Sequence, residues 1–166
     1  MLVSRRGVWA GVGAAVLAMV LPSGFAAAEP PRSQSPVGRW LTIDDDGKTP
    51  KSIVELYLVK DELRGKIVEL INPAEKNPKC EKCEGARKNQ PIIGLEIIWG
   101  LEKDGNEWSG GRILDPESGK EYSCYLEVID EGRRLKVRGY MGIALLGRTQ
   151  YWRRARARPK PKPARP

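Results

Sequence analysis

Tyr122-Ser123-Cys124-Tyr125-Leu126-Glu127-Val128-Ile129-Asp130-Glu131-Gly132-Arg133-Arg134-Leu135-Lys136-Val137-Arg138-Gly139-Tyr140-Met141 reads as a β-hairpin. Tyr122, Cys124, Leu126 and Val128 stand at every second position, and so do Leu135, Val137, Gly139 and Met141. In an extended chain that spacing gathers each set on one face of a sheet. Asp130-Glu131-Gly132 between the runs is turn chemistry, because Asp tolerates local side-chain bonding and Gly the left-handed backbone.

The same grammar extends in both directions. Eight candidate strands fall at roughly 37–43, 52–59, 62–70, 92–101, 106–114, 120–129, 133–141 and 143–152. Turn residues separate them, among them Asp44-Asp45-Asp46-Gly47, Lys60-Asp61, Asp104-Gly105-Asn106 and Asp115-Pro116-Glu117-Ser118-Gly119. No stretch carries a convincing helical period. Short strands joined by tight turns predict an all-β meander, an eight-stranded antiparallel up-and-down barrel whose interior either fills with side chains or holds one small ligand. Gly110-Gly111 is the expected bulge. Such a barrel must join its first strand to its last. Trp40 near the start and Trp152 near the end, with Arg148 over the Trp40 ring and Arg153 as the runner-up for that role, are the expected closure.

The ends read differently. Residues 1–28 have the form of a secretory signal: Arg5 and Arg6, an uncharged apolar run from Val8 to Leu21, and Ala26-Ala27-Ala28 with cleavage expected after Ala28. The expected address is therefore the periplasm or the exterior. A Pro/Ser linker, 29–36, precedes the barrel domain, 37–152. The tail, 153–166, interleaves Arg and Lys with Pro and Ala, a composition that cannot bury apolar area and reads as disordered. It holds seven of the 29 basic residues, and the signal two. The stretch between them carries 20 basic against 21 acidic residues, which removes any bulk electrostatic reason for nucleic-acid binding. The tail is a candidate contact to anionic surfaces.

Chemistry is sparsely supplied. The chain has no histidine, the usual general base, and an enzyme is not the favoured reading. Three cysteines without histidine are a poor metal set, so no metal and no cofactor are expected. Cys80, Cys83 and Cys124 allow three disulfide pairings, with Cys124 equally readable as a buried free thiol on its apolar strand face. Cys80-Glu81-Lys82-Cys83 has a redox spacing, yet it sits in a Lys- and Asn-rich loop of an all-β pattern rather than at a helix start. Arg138, Tyr140, Arg148 and Gln150 are polar groups in tightly patterned strands and form the candidate ligand-binding set.

Several short blocks stand in a shared order: Gly38-Arg39-Trp40, Ser52-Ile53-Val54, the Cys80/Cys83 pair, Gly110-Gly111-Arg112-Ile113-Leu114-Asp115-Pro116, Lys136-Val137-Arg138-Gly139-Tyr140 and Leu146-Gly147-Arg148-Thr149-Gln150. Over roughly Pro36 to Arg154 the chain resembles the exported bacterial domain-of-unknown-function 2147 (DUF2147) family. The resemblance implies a lipocalin-like (calycin) barrel, places Trp40 at the lipocalin-type tryptophan position, and implies no established activity. The resulting expectation is an exported barrel that binds a small apolar or amphipathic ligand non-covalently. The rival is a filled barrel acting as an interaction module, and a thiol-redox protein comes third. Bulky Trp108 and Tyr122 would fill the lumen, while Gly65, Gly94, Gly110 and Gly139 would leave it room.

Overall fold

Alternating apolar residues make strands that each bury one face, and eight of them close on themselves. The computed structural model describes residues 34–76, 78–143 and 147–155. Its strands are β1 Gly38–Ile43, β2 Pro50–Val59, β3 Glu62–Leu70, β4 Glu96–Asp104, β5 Glu107–Asp115, β6 Lys120–Ile129, β7 Arg134–Tyr140 and β8 Gly147–Arg154. Each pairs antiparallel with the next and β8 returns to β1, giving a closed eight-stranded up-and-down barrel. The predicted signal (1–28), most of the linker and the tail from 156 onward lie outside the described residues.

Several boundaries depart from the sequence pattern, those of the fourth and last strands most. The fourth strand starts at Glu96 rather than 92, because Ile92–Leu95 is a turn with Leu95 N–H donating to the Ile92 carbonyl at 3.2 Å. Its apolar residues mimic a strand, but Ile92 and Leu95 are buried as loop anchors. The last strand begins at Gly147 and runs through Arg154, so Arg153 and Arg154 are sheet, not tail. The bulge falls as expected, with the β5–β6 register shifting between Trp108 and Gly111.

Inward-facing Trp40, Val54, Leu56, Leu63, Ile98, Leu101, Leu126, Leu135, Val137 and Trp152 are buried and belong to one continuous core. Burying each such side chain contributes roughly 1.5–3 kcal/mol. Gly65 leaves no lumen space: a Cβ there would lie 2.6 Å from Leu56 Cδ2 and 3.2 Å from Ile98 Cβ. Gly94 belongs to the β3–β4 connection and Gly110 is exposed at the bulge. Gly139 alone of the four leaves room, with Ile113 Cγ2 and Tyr122 Cβ each 3.6 Å from where its Cβ would be.

The connection from Ile71 to Leu95 folds over the outside of β4–β6. Ile98 pairs with Ile113, and Ile113 with Tyr122, on the inner face, so Ile97, Trp99 and Leu114 point outward. Ile97 and Leu114 are nevertheless buried, together with Cys80 and Cys83 of the loop. Arg87 stacks on the Trp99 ring at 3.9 Å and bonds Glu121 at 3.3 Å. Gly119 makes the close approach: φ is +72°, and a Cβ would collide with the Lys82 carbonyl.

Candidate functional site

The two ends of the barrel are built differently, and the difference lies in the β1–β8 seam. β1 and β8 pair at Trp40↔Arg154 and Leu41↔Arg153, whereas β7 and β8 pair continuously from Arg134↔Arg153 to Tyr140↔Gly147. At the Trp40 end the seam is sealed. Trp40 is fully buried, and its Nε1 donates to the Pro36 carbonyl at 2.7 Å. The Arg154 guanidinium lies 4.1 Å from the centre of the Trp40 ring, and its Nη2 donates to the Ser35 carbonyl at 2.8 Å. Burial lowers the Arg154 pKa below the usual guanidinium range.

The arginine over the tryptophan is therefore neither Arg148 nor Arg153. Antiparallel register sets Arg154 directly opposite Trp40, while Arg148 is six residues further along β8, about 20 Å away. Arg153 sits opposite Leu41 with its side chain exposed. A signal for Arg154 was present: it continues the alternation Arg148, Gln150, Trp152 by one more step.

At the other end the β1–β8 ladder stops at Leu41↔Arg153, the β1–β2 register shifts at Thr42/Ile43, and side chains reach across. Asp45, in the β1–β2 turn, forms an ion pair with Arg148 and accepts a 3.3 Å hydrogen bond from Gln150 Nε2. Gln150 Oε1 in turn accepts from Trp152 Nε1 at 3.1 Å, so one polar chain runs from the sealed core to the open end. A cleft of about 490 Å³ opens here, lined by Ile43, Asp45, Arg148, Gln150 and Tyr151, with Arg134 and Arg153 along one side. Asp45 reads in sequence only as a turn residue; nothing in its neighbours marks it as the partner of Arg148.

The four-residue ligand set is split by the wall. Val137 pairs with Gln150 and Gly139 with Arg148, which places Gln150 and Arg148 on the inner face. Arg138 pairs with Thr149 and Tyr140 with Gly147, on the outer face, and Arg138 Nη1 bonds Thr149 Oγ1 at 2.7 Å. Arg138 and Tyr140 therefore cannot converge with the other two on one headgroup. Directly paired residues share a face, and the hairpin register decides which do.

Cys80 and Cys83 form the disulfide, with Cα atoms 5.3 Å apart, and Cys124 is a buried free thiol. Burial pushes the Cys124 pKa up to about 12, with Arg112 pulling weakly the other way. Both disulfide sulfurs belong to buried residues, and Cys80 Sγ faces the Pro116 carbonyl at 3.4 Å. A redox pair needs an accessible thiolate, and both cysteines of this pair are buried.

A closed eight-stranded meander with a buried first-strand tryptophan under a last-strand arginine is the architecture of a lipocalin-like barrel protein. It is similar to the structure of protein HP1028 from the human pathogen Helicobacter pylori, described as belonging to the lipocalin family. The TM-score is 0.65 at 18% identity, covering 75% of this chain and 85% of that one, a likeness of fold. The chain belongs to the bacterial DUF2147 family, "Uncharacterized protein conserved in bacteria", whose family model matches residues 38–154. No curated protein sequence matches it.

Proposed function

We propose that this chain is an exported lipocalin-like protein that binds a small apolar or amphipathic molecule non-covalently at the Asp45 end of the barrel. The observation that carries this reading is the contrast between the ends. Toward Trp40 the seam is closed by the β1–β8 ladder and by Arg154 over the buried Trp40 ring, with inward Leu58, Trp108 and Val128 partly exposed at that rim. Toward Asp45 the inward-facing Leu70, Ile113 and Tyr122 are only half-buried, and Arg148 and Gln150 stand at the rim. An apolar floor with a cation and an amide at its edge suits a ligand with an apolar body and a carboxylate or phosphate head. The head would take the place that Asp45 holds on Arg148 and Gln150.

Native mass spectrometry of protein exported to a periplasm and purified without detergent tests this. The expected result is a bound mass lost on denaturation, with loading reduced about tenfold in Arg148→Ala/Gln150→Ala through loss of charge-assisted bonds. Bare protein, with and without added lipid extract, would overturn it. The second reading, a filled barrel working through its surface, is favoured by the continuous buried core and gains the weight if the protein is bare.

A further inference from the structure

Strand connections in this chain carry charged or amide side chains, among them Asp44 to Lys48, Lys60-Asp61, Gly105-Asn106, Pro116 to Gly119 and Asp130 to Arg133. Such residues suit turns that face water. The β7–β8 connection is the exception, since from Met141 to Leu146 the sequence has no polar side chain. Met141 and Ile143 are 64% and 60% exposed, more than any other large apolar side chain among the described residues. Gly142 between them takes φ +73°, and apart from its neighbours nothing lies within 4 Å of where its Cβ would stand. An apolar tip thus projects from the end of the barrel at which Arg148 meets Asp45.

We propose that this tip docks on a phospholipid bilayer, with Met141 and Ile143 entering the interface and Tyr140 and Arg138 behind them at headgroup level. The order along β7 is the depth order of an interfacial segment: cation at Arg138, aromatic at Tyr140, apolar from Met141. Arg138 stands three residues, about 10 Å, behind Met141, the depth of the headgroup layer once the tip reaches the acyl boundary. Arg138 bonds the neutral Thr149 hydroxyl, which leaves its charge in place. From Gly132 through Pro166 the chain has no Asp or Glu, so neither strand of the hairpin brings a carboxylate to repel phosphate. The acidic β1–β2 turn at the same end is engaged, Asp45 by Arg148 and Asp44 by Lys51 at 3.6 Å.

Area decides between a bilayer and a protein. Two side chains on a convex tip fall far short of the roughly 800 Å² per partner that a stable interface needs, a second copy included. A bilayer asks for no complementary shape: apolar area drives the contact and anionic lipid adds to it. Docking there turns the mouth of the barrel, with Arg148 and Gln150 at its rim, toward the lipid. The inference concerns the β7–β8 tip and stands whether or not the mouth holds a small molecule.

The test is flotation of the exported, detergent-free protein with phosphatidylcholine/phosphatidylglycerol vesicles. Binding is expected to persist in about 1 M salt, where charges are screened beyond about 3 Å, because the apolar pair carries it. Met141→Asp/Ile143→Asp should lower the partition coefficient about tenfold or more. A nitrobenzoxadiazole dye on Ile143→Cys should brighten with vesicles and be quenched by a nitroxide on the acyl chain. The same dye on Glu131→Cys, in the β6–β7 turn at the other end, should stay in water. This pair also separates the tip from the basic tail, which departs at the Glu131 end, where Ala155 N–H donates to the Arg39 carbonyl at 2.9 Å. Should the double Asp variant misfold, the dyes still decide. No flotation, flotation that the Asp pair leaves unchanged, or insertion of the Glu131 dye in place of the Ile143 dye would each overturn the proposal. An Ile143 dye already shielded without vesicles would overturn it too, by marking contact between copies.

Discussion

Single residues carry the closure of this barrel. Arg154 touches the Trp40 ring and the Ser35 and Gly132 carbonyls, tying the incoming chain, β1 and the β6–β7 turn to the last strand. Arg148 makes its contact to Asp45 largely in solvent. Arg154→Ala should therefore cost about 2–4 kcal/mol in urea denaturation, and Arg148→Ala under about 1 kcal/mol. Equal costs would remove the plug role from Arg154. Trp40→Ala should cost about 3–5 kcal/mol through the cavity it leaves. Cys124 links stability to alkaline pH. Its folded pKa is raised to about 12, so its contribution is complete below the unfolded value, near 9, and is lost as pH climbs through that window. Stability should fall between those limits by more in the native protein than in Cys124→Ala, and a thiol reagent should label Cys124 only in denaturant. Trp40 was legible as a plug from sequence because a lone tryptophan in a first strand has few other uses. Its arginine was not, because a basic strand end and a basic tail look alike until register separates them.

At the scale of elements, the strands announced themselves through period two, and the misplaced start of the fourth strand has one cause. Ile92, Ile93 and Leu95 form an apolar run that packs as a loop, and composition does not separate a buried loop anchor from a buried strand. What holds the loop is the Cys80–Cys83 ring, the Arg87–Trp99 stack and the fit of Gly119 beneath Lys82. A disulfide closing so short a segment constrains the unfolded chain little, about 2 kcal/mol by the chain-entropy relation. Reduction should thus leave far-ultraviolet circular dichroism unchanged and the barrel folded. It should also expose the loop to trypsin at Lys79, Lys82 and Arg87, seen as cleavage confined to that connection. Barrel unfolding on reduction would mean that the loop supports more than its own packing.

For the whole molecule, the decisive feature is a barrel sealed by ladder and indole at one end and stitched by side chains at the other. Backbone amides of β8 from Gly147 to Gln150 should exchange with deuterium faster than those of β7 opposite them, and faster than Arg154, whose N–H donates to the Arg133 carbonyl at 2.8 Å. Uniform protection along β8 would mean a continuous seam. The sequence by itself determined that this chain makes eight antiparallel strands with a plugged first strand, because alternation and turn chemistry are local and survive without knowledge of partners. It could not decide which faces Arg138, Tyr140, Arg148 and Gln150 share, that Arg154 covers Trp40, or that Asp45 spans the gap. Those are matters of register and closure between segments more than a hundred residues apart. A shift of one residue inverts every side chain, so only the closed tertiary structure assigns them.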